Sequence, residues 1–323
     1  MGVIQRMISG LAAALVLVLG AGCLLATLAA QGGRFSTRLD VLTHFAPFWL
    51  AGGVVALACA AMLTPNALKS WALVAAGLAV AAAGALVLPE LLRPIRPPVA
   101  ATAPRQVKLV QLNAWGDNVD VEGTADWIAR QQPDLVFIEE LEQPLRTALI
   151  KRGYVGRPGM MRTSVLSRTP LPGPSHKISE ADYHLLPPLA RGSFQVDGIA
   201  VDVIATHLTW PTWPRQQVEI KALKALVDRY DKQRLILTGD FNLTPWSFTL
   251  QKIDRTYGLE RRDRALFSWP ARPFARGRLS SPGPFLPIDH VYAGSDWRTV
   301  KIERGPRLGS DHYPLLVVLA LED

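Results

Sequence analysis

Residues 235–242 read Leu-Ile-Leu-Thr-Gly-Asp-Phe-Asn, a short apolar run that ends on a carboxylate and an amide. The apolar part is typical of a buried β-strand, and the polar residues come where that strand would end. Strand ends in α/β folds meet along one edge of a sheet, where ligands bind. We therefore expect Asp240 and Asn242 to face a functional site at such an edge.

Four further segments repeat this design, in which an apolar strand leads to a carboxylate, amide or imidazole. They are Leu112-Asn113, Phe137-Ile138-Glu139-Glu140, Ala205-Thr206-His207 and Gly309-Ser310-Asp311-His312. Gathering Glu140, Asp240 and Asp311 at one edge is costly without a cation, because like charges in a low-dielectric cleft repel. Carboxylate and amide oxygens are ligands that Mg²⁺ or Mn²⁺ prefers, and neutral imidazoles supply acid/base groups near neutral pH.

The coarse pattern around these segments mixes βαβ units with hairpins, which favours an α/β or α+β class with mixed sheets. Predicted strands cover 106–113, 135–139, 199–206, 235–238, 288–293 and 315–319, and predicted helices cover 120–132, 144–152 and 214–230. The last helix starts with Pro near its first turn and carries Val218, Ala222, Leu226 and Tyr230 on one stripe. Residues 268–287 are rich in Pro and Gly and predict a long irregular loop, of a length that is often functional.

The charge of the chain is unevenly distributed. Hydrophobic residues make up 49% of the 323 positions and charged residues only 19%. Residues 1–100 hold six basic and two acidic side chains, whereas residues 101–323 hold 29 and 25, the ordinary density of a soluble domain. This division excludes a wholly soluble protein, a disordered one and a pure transporter. The net charge of +8 splits evenly between the two parts, so neither part indicates nucleic-acid binding by itself.

Three apolar runs, 7–30, 41–63 and 71–89, are long enough to cross a bilayer, although the third is near the minimum length. We predict a multi-pass protein of the cell membrane. A cleaved or lipidated first segment at Cys23 is the alternative. Counted literally, the flanking Lys and Arg residues put the C-terminal part in the cytoplasm, but the margin is small and the side stays open.

Both cysteines, Cys23 and Cys59, lie in the apolar part, so the polar part has no disulfide and no thiolate zinc site. Five prolines between 89 and 104 favour an extended spacer. The predicted organisation is a transmembrane region over 1–92, a Pro-rich linker over 93–104 and a catalytic domain over 105–323.

The polar motifs, taken in order, resemble those of the endonuclease/exonuclease/phosphatase superfamily, which includes DNase I-like nucleases, abasic-site endonucleases, neutral sphingomyelinases and inositol-phosphate 5-phosphatases. The matching elements are Asn113, Glu140, Thr-His-Leu at 206–208, Gly-Asp-Phe-Asn at 239–242, Ile-Asp at 288–289 and Ser-Asp-His at 310–312. The resemblance spans most of residues 106–319. It implies a four-layered α/β sandwich, in which two mixed β-sheets pack face to face between helices, preceded here by about three transmembrane helices.

The resemblance also assigns roles to the matching positions. Asn113, Glu140 and Asp311 would hold Mg²⁺ or Mn²⁺, with Glu140 as the principal ligand. Asp240 and Asn242 would orient the attacking water and the scissile phosphate. His207 would donate to a phosphate oxygen, and His312, held in its tautomer by Asp289, would activate water or contact the phosphate. No residue matches the acidic partner that some DNase-like members give to the first histidine.

Several nearby residues are interpreted as structural. Glu139 points to the opposite face of its strand from Glu140, where the family usually has Gln, and is assigned either to supporting the site residues from behind or to the structure alone. His290 is assigned to packing, and His176 and His184 to solvent. Arg168 is equally compatible with a structural ion pair and a phosphate contact. The four tryptophans that flank the motifs are assigned to core or rim packing, with stacking on a base or lipid as the alternative: Trp210, Trp213, Trp246 and Trp269.

Three functions remain open at the level of sequence. The first is a membrane-anchored nuclease-like phosphodiesterase, for which the arginines at 255, 261, 262, 264, 272, 276 and 278 could face a phosphate backbone. The second is a phospholipid, sphingomyelin or inositol-phosphate hydrolase, whose tethering would raise the local substrate concentration. The third is a non-catalytic membrane scaffold, which the complete set of metal and histidine residues disfavours. The expected partners are a phosphoester substrate and the lipid bilayer, and no protein partner is inferred.

Overall fold

A computed structural model describes residues 3–271 and 283–322 of the chain. The described chain divides into two compact units. The helical unit comprises residues 1–93 together with 244–251, and the sheet unit comprises residues 94–243 together with 252–323. The assignment of 244–251 to the first unit departs from the linear division drawn from the sequence.

The described N-terminal residues of the helical unit form four helices and two 3₁₀ turns. The helices are α1 (Val3–Gln31), α2 (Thr37–Asp40), α3 (Ala46–Met62) and α4 (Ala67–Leu92), and the turns are Gly32–Arg34 and Val41–Phe45. Small residues such as Ala13, Ala56 and Ala76 are fully buried between the helices, whereas large residues such as Leu11 and Val18 are exposed. This pattern is the reverse of a water-soluble bundle and is typical of helices that pack in lipid.

Three helical segments among the described residues are long and apolar enough to cross a membrane, namely Met7–Arg34, Thr37–Met62 and Ala67–Leu92. The third is longer than the run predicted from the sequence. Pro89, which we expected to begin the extended spacer, instead lies inside α4. Pro89 deprives α4 of one backbone hydrogen bond, but the helix continues past it, and the extended segment begins only after Leu92.

The sheet unit contains eleven strands within the described ranges. They are β1 (Gln106–Asn113), β2 (Leu135–Glu139), β3 (Val155–Pro158), β4 (Ser164–Ser167), β5 (Leu189–Val196), β6 (Ile199–His207), β7 (Ile236–Asp240), β8 (Glu260–Arg261), β9 (Asp289–Ala293), β10 (Trp297–Arg304) and β11 (Leu315–Leu321). The helices that follow α4 in sequence are α5 (Val121–Gln131), α6 (Gln143–Lys151), α7 (Glu180–Tyr183), α8 (Arg215–Val227) and α9 (Phe248–Thr256).

The strands form two mixed sheets, with orders β10-β11-β1-β2-β4-β3 and β5-β6-β7-β9-β8. One apolar core contains buried residues of both sheets, such as Leu109 and Phe137 from the first and Val203 and Val291 from the second. A second core lies between the first sheet and the helices α5 and α6. The predicted sandwich of two mixed sheets flanked by helices is confirmed.

All six strands predicted from the sequence are present, with ends shifted by at most two residues. The predicted stripe on α8 is confirmed only in part: Leu226 and Tyr230 are buried, but Val218 is 41% exposed, and Glu219 and Leu223 are buried in addition. The Glu219 carboxylate accepts hydrogen bonds from the backbone N–H and the hydroxyl of Thr209, at 2.8 and 2.7 Å. A buried glutamate with satisfied oxygens has replaced the apolar residue that the periodicity favoured.

Gly239 is the position in β7 where the backbone permits no other residue. Its φ is +149°, and a Cβ added there would lie 1.8 Å from the carbonyl oxygen of Thr206. Glycine therefore allows β7 to pass close to β6 immediately before Asp240.

Candidate active site

The pairing of the strands brings the predicted polar residues to one edge of the sandwich. In the first sheet, parallel pairing of β1 with β2 sets Asn113 opposite Glu139. In the second sheet, β7 lies between β6 and β9, so Asp240 is opposite both His207 and Asp289. Residues far apart in sequence thus meet at strand ends, as the sequence pattern predicted.

Asp289 and His312 form a buried hydrogen-bonded pair. The Nδ1 atom of His312 lies 2.8 Å from Asp289 Oδ2. Burial by itself would lower the pKa of His312, but the charges of Asp289 and Asp240 outweigh burial and raise that pKa to about 10. Burial likewise opposes ionisation of Asp289, yet the charge and hydrogen bond of His312 bring the pKa of Asp289 below its usual value. The pair therefore favours an imidazolium beside a carboxylate.

Asp240 lies between two imidazoles. Its Oδ2 atom is 3.5 Å from Nε2 of His207 and 3.7 Å from Nε2 of His312. Burial raises the pKa of Asp240, while the nearby histidines counteract part of this effect. Asp240, Asp289 and His312 each offer one potential ligand atom within 4.8 Å of the others. The raised pKa of His312 favours a positive charge within this group.

Asn242 follows Asp240 with a left-handed backbone, at φ = +51°. Its N–H donates to Asp240 Oδ1 at 2.8 Å, and its side-chain Nδ2 donates to the carbonyl of Leu208 at 2.8 Å. The Oδ1 atom of Asn242 is buried and has no hydrogen-bond partner among the described residues. This oxygen is consequently available to accept a hydrogen bond from a ligand.

The three predicted metal ligands lie beside this group. Asn113 Nδ2 donates to Glu140 Oε1 at 3.2 Å and to Asp240 Oδ2 at 3.1 Å, so it joins the two carboxylates. Glu140 comes directly after β2 with a φ of +53°, so the backbone turns out of the strand at this residue. Burial raises the pKa of Asp311, the charge of Glu140 adds to the rise, and His312 and Trp269 oppose it.

These residues fit a hard divalent cation. Glu140 and Asp311 are carboxylates close enough for the charge of one to affect the pKa of the other, and a cation between them would remove that repulsion. The Oδ1 atom of Asn113 accepts the N–H of Trp115 at 3.0 Å, which leaves one of its two lone pairs for a cation. The donor set is entirely oxygen, which suits Mg²⁺ or Mn²⁺.

Two further residues hold the site in place: Gln111, which sequence reasoning missed, and Ser310, which it included in a motif without a role. Gln111 Nε2 donates to Glu139 Oε2 at 2.9 Å and to Asp289 Oδ1 at 2.8 Å. Burial and the charge of Asp289 raise the pKa of Glu139 well above its usual range, which favours its neutral form. Ser310 Oγ donates to the carbonyl of Asn113 at 2.6 Å and accepts the N–H of His312 at 2.9 Å. Gln111 lies two residues before Asn113, so the two side chains share a face of β1. This spacing could have identified Gln111 as a site residue from the sequence.

An aromatic pair lies next to Asp311. Trp269 Nε1 donates to Asp311 Oδ2 at 3.2 Å, and the rings of Trp269 and Trp210 meet edge to face at 5.6 Å. Trp213 is 64% exposed. Trp269 thus orients a predicted metal ligand in addition to packing, whereas Trp246 is buried in the helical unit, as the packing interpretation predicted.

His290 has a structural contact that the sequence did not indicate. Its Nδ1 lies 2.8 Å from Asp263 Oδ2 and its Nε2 lies 2.8 Å from the carbonyl oxygen of Leu243. Both ring nitrogens therefore have partners, which is consistent with the structural role predicted for this residue. Arg168 stacks over the ring of Tyr154, with its guanidinium carbon 5.0 Å from the ring centroid, a contact of the structural kind.

The arginines between 255 and 278 do not form a continuous basic face within the described residues. Arg261 is buried and pairs with Asp254 and Asp263, and Arg262 is buried and donates to the carbonyl of Gly294 at 2.6 Å. Both guanidinium groups are thus engaged within the sheet unit. Residues 272–282, with Arg272, Arg276, Arg278 and most of the predicted 268–287 loop, lie outside the described residues.

Comparison with solved structures supports the same fold. A protein described as an endonuclease/exonuclease/phosphatase from Beutenbergia cavernae DSM 12333 is 22% identical, with a TM-score of 0.50, covering 68% of this chain and 72% of that one. Humanized D. rerio TDP2 is 16% identical, with a TM-score of 0.52, covering 67% and 99%. The human Nocturnin catalytic domain is 15% identical, with a TM-score of 0.50, covering 70% and 100%. The comparison with curated protein sequences returns no match.

The sequence profile of the Endonuclease/Exonuclease/phosphatase family matches residues 110–312, from the middle of β1 to the final histidine of the site. This range is well over half of the chain and includes every polar residue described at the sheet edge. The chain belongs to the Endonuclease/Exonuclease/phosphatase family.

Proposed function

We propose that this protein is a membrane-anchored phosphoester hydrolase that depends on a divalent metal and cleaves phosphodiesters in the manner of a nuclease. The observation that carries the proposal is the arrangement around Asp240, whose Oδ2 lies within 3.7 Å of the Nε2 atoms of both His207 and His312. An acid between two imidazoles, in a family of phosphoester hydrolases, is suited to moving protons during hydrolysis.

Each residue has a distinct part in this proposal. Asp289 fixes the ring of His312 through Nδ1, which leaves Nε2 directed towards Asp240 and the reacting groups. Asp240 accepts the proton of the attacking water, a task that its raised pKa favours. Asn242 orients that water through its Oδ1, which is unpartnered among the described residues. His207 donates to a phosphate oxygen as negative charge develops there.

The metal would be held by Asn113, Glu140 and Asp311. Bound Mg²⁺ or Mn²⁺ supplies neutralisation of the phosphate charge, which is the main requirement of phosphoryl transfer. The hydrogen bonds from Gly116 N–H to Glu140 and from Trp269 to Asp311 keep these two carboxylates in place.

A second candidate is hydrolysis of a phospholipid, sphingomyelin or an inositol phosphate. The observation that favours it is the exposure of Trp210 and Trp213, at 43% and 64%, in the segment that follows His207. Exposed tryptophans are suited to the interface of a bilayer as well as to stacking on a base. Three helices of membrane-spanning length agree with a substrate at the membrane surface. A non-catalytic scaffold would not need the Asp289–His312 pair.

The test uses the full chain purified in detergent, with Mg²⁺, Mn²⁺ or excess EDTA, on plasmid DNA, RNA, sphingomyelin and inositol phosphates. Asp240→Asn is compared with Asp197→Asn, a matched change at an exposed turn residue with positive φ. We expect hydrolysis of at least one substrate in Mg²⁺ or Mn²⁺, none in EDTA, and loss of activity in Asp240→Asn alone.

The outcomes separate the alternatives. Cleavage of DNA or RNA in preference to the other substrates supports the nuclease-like activity, and cleavage of sphingomyelin or inositol phosphates supports the second candidate. Full activity in EDTA would contradict the metal requirement, and equal activity of the two Asn variants would contradict the role of Asp240. Absence of hydrolysis of every substrate would favour the scaffold.

A further inference from the structure

Residues 244–251 follow the Gly-Asp-Phe-Asn segment in sequence, yet they belong to the helical unit. Only Leu243 separates Asn242 from the first of them. We name this stretch the post-motif segment. Its contacts within the helical unit are concentrated on two polar residues at the start of the second candidate membrane span, Asp40 and His44.

Asp40 binds the start of helix α9. Its Oδ1 accepts the N–H of Phe248 at 2.9 Å, and its Oδ2 accepts the N–H of Thr249 at 2.9 Å and the Thr249 hydroxyl at 2.6 Å. The first N–H groups of a helix have no partner within the helix, and a carboxylate is a favourable acceptor for them. Asp40 is 3% exposed, so these three donors and the Thr43 hydroxyl, at 3.2 Å from Oδ1, take the place of water around its oxygens.

His44 binds the beginning of the post-motif segment. Its Nδ1 accepts the N–H of Thr244 at 3.2 Å and lies 2.9 Å from the Thr244 hydroxyl. Because a backbone N–H can only donate, Nδ1 is the acceptor and the ring proton is on Nε2. The carbonyl oxygen of His44 accepts the indole N–H of Trp246 at 3.1 Å. His44 thus fixes the backbone of the second residue after Asn242.

The aromatic ring of Phe248 adds a cation–π contact to these hydrogen bonds. The guanidinium carbon of Arg34 lies 5.2 Å from the Phe248 ring centroid. Three residues of the helical unit, at 34, 40 and 44, therefore hold the post-motif segment through this contact and six polar contacts.

The neighbouring turn is held in the sheet unit by independent contacts. Asp240 Oδ1 accepts the N–H of Asn242, and His290 Nε2 binds the carbonyl of Leu243. Asn242 has a positive φ, a conformation that persists only where surrounding contacts impose it. The chain that leaves this turn is fixed next at Thr244, by His44.

We propose that Asp40 and His44 are positioning residues for Asp240 and Asn242, acting through the post-motif segment. The effect passes along the chain itself, from Thr244 through Leu243 to Asn242. This inference rests on the proposed function for its catalytic consequence, and on the hydrogen bonds above for its structural part.

The experiment uses the full chain in detergent micelles with Mn²⁺ and bis(p-nitrophenyl) phosphate as the probe. His44→Ala removes the imidazole contacts with Thr244, Asp40→Ala removes the carboxylate contacts with Phe248 and Thr249, and His44→Asn restores an acceptor oxygen near the position of Nδ1. Gln31→Ala is the matched control, since it removes a hydrogen bond between helices of the same unit, from Gln31 Nε2 to the Ala82 carbonyl at 3.0 Å. Hydrogen–deuterium exchange of peptides covering 239–243 and 244–251 is measured on the same samples.

We expect His44→Ala and Asp40→Ala to lower kcat by about 10-fold with KM nearly unchanged, because misplacement of a catalytic group mainly affects the transition state. Exchange should rise in both peptides, His44→Asn should recover most of the kcat, and Gln31→Ala should resemble the wild type. A purely structural role would lower the amount of folded protein without this change in kcat per folded molecule.

Two results would overturn the proposal. One is unchanged exchange in 244–251, which would mean that Asp40 and His44 do not hold the segment. The other is raised exchange in 244–251 with 239–243 and kcat unchanged, which would mean that the hold does not extend to the catalytic turn. If the wild type does not hydrolyse the probe, the nuclease-like function fails on this substrate. Exchange in 239–243 then decides the positioning claim alone, supporting it if raised and contradicting it if not.

Discussion

Two buried carboxylate–histidine pairs each include one residue of β9, Asp289 in the first and His290 in the second. They differ in the partner of the second histidine nitrogen, Nε2. Asp289 binds His312 and Asp263 binds His290, in each case through Nδ1 at 2.8 Å. Nε2 of His290 binds the carbonyl oxygen of Leu243, whereas Nε2 of His312 lies 3.7 Å from Asp240 Oδ2, beyond hydrogen-bond distance. A histidine with both nitrogens engaged stabilises the fold, and one with a nitrogen left for the reacting groups can transfer a proton.

The same comparison applies to the aspartates. Hydrogen bonds and charges from His290 and Arg261 outweigh burial and lower the pKa of Asp263 below its usual range. Asp263 also accepts the N–H of Val291 at 2.9 Å, so it ties β9 to the segment after β8. Asp289 is connected instead through Gln111 to Glu139, within the site. The Asp263–His290 pair is linked to the backbone, and the Asp289–His312 pair is linked to other side chains of the candidate site.

The largest effect should come from removing His312, the histidine of the pair that we propose to be catalytic. His312→Ala should lower kcat about 10³-fold, within the usual range for loss of an acid/base group. The unfolding free energy should fall as well, because the buried Asp289 carboxylate loses its partner, so kcat is measured per folded molecule. Steady-state hydrolysis of a cleaved substrate measures this effect, with exposed His184→Ala as the matched control. Equal kcat in the two variants would contradict the assignment.

Removing the histidine of the structural pair should affect stability first. His290→Ala leaves the buried Asp263 carboxylate and the Leu243 carbonyl without their partner, so the unfolding free energy should fall by about 3–5 kcal/mol. Chemical denaturation in detergent measures it. The kcat of the folded fraction should fall less than in His312→Ala. A variant as stable as the wild type would show that this pair contributes little.

The contribution of His312 to stability should decrease as the pH rises. The pKa of this residue is about 10 in the folded chain, above its ordinary value of 6.5. A group whose folded-state pKa is raised contributes stability that is fully present below pH 6.5 and is lost as the pH rises towards 10. We expect the unfolding free energy of the metal-free protein in EDTA to fall over this window in the wild type and to fall less in His312→Gln. Parallel curves would refute the raised pKa.

A smaller effect is expected from the indole that holds Asp311. Trp269→Phe keeps the ring contact with Trp210 but removes the N–H donated to Asp311. Since groups that orient metal ligands typically contribute at least 10-fold to affinity, the Mn²⁺ concentration for half-maximal activity should rise about 10-fold. Trp297→Phe, which loses a hydrogen bond to the Arg234 carbonyl elsewhere in the sheet unit, serves as the control. An identical metal requirement in both variants would exclude a role for Trp269.

The contact between Asp289 and His312 was predicted from the sequence, and the contact between Asp263 and His290 was not. Strand periodicity placed Asp289 and His312 at strand ends, and a resemblance of ordered motifs paired them. His290 occupies the next position, but its partner Asp263 is 27 residues earlier, in a segment without strand periodicity. Asp263 and His290 come together only because β8 pairs with β9. A local sequence pattern does not predict which strands pair.

The fold was predictable where burial alone dictates periodicity, as in β1 and β2, whose predicted limits are confirmed. It was not predictable where a polar residue is buried with a distant partner. On α8, Glu219 is buried although the predicted stripe had the neighbouring Val218 there, because Thr209 donates two hydrogen bonds to the Glu219 carboxylate. Asp40 and His44 resemble the polar end of a membrane span, and their partners are about 200 residues away. Each of these polar residues can be buried only because of a hydrogen bond to a residue distant in sequence, and that bond exists only in the folded chain.

The most direct test of the division between the two pairs is a side-by-side measurement of Asp289→Asn and Asp263→Asn, recording kcat per folded molecule and unfolding free energy for both. We predict that Asp289→Asn lowers kcat by at least about 10²-fold and remains folded, because His312 loses the acceptor that fixes its ring. Asp263→Asn should lower the unfolding free energy more than Asp289→Asn does and should retain most of its kcat. Equal loss of kcat in both variants, or a larger loss in Asp263→Asn, would contradict the account.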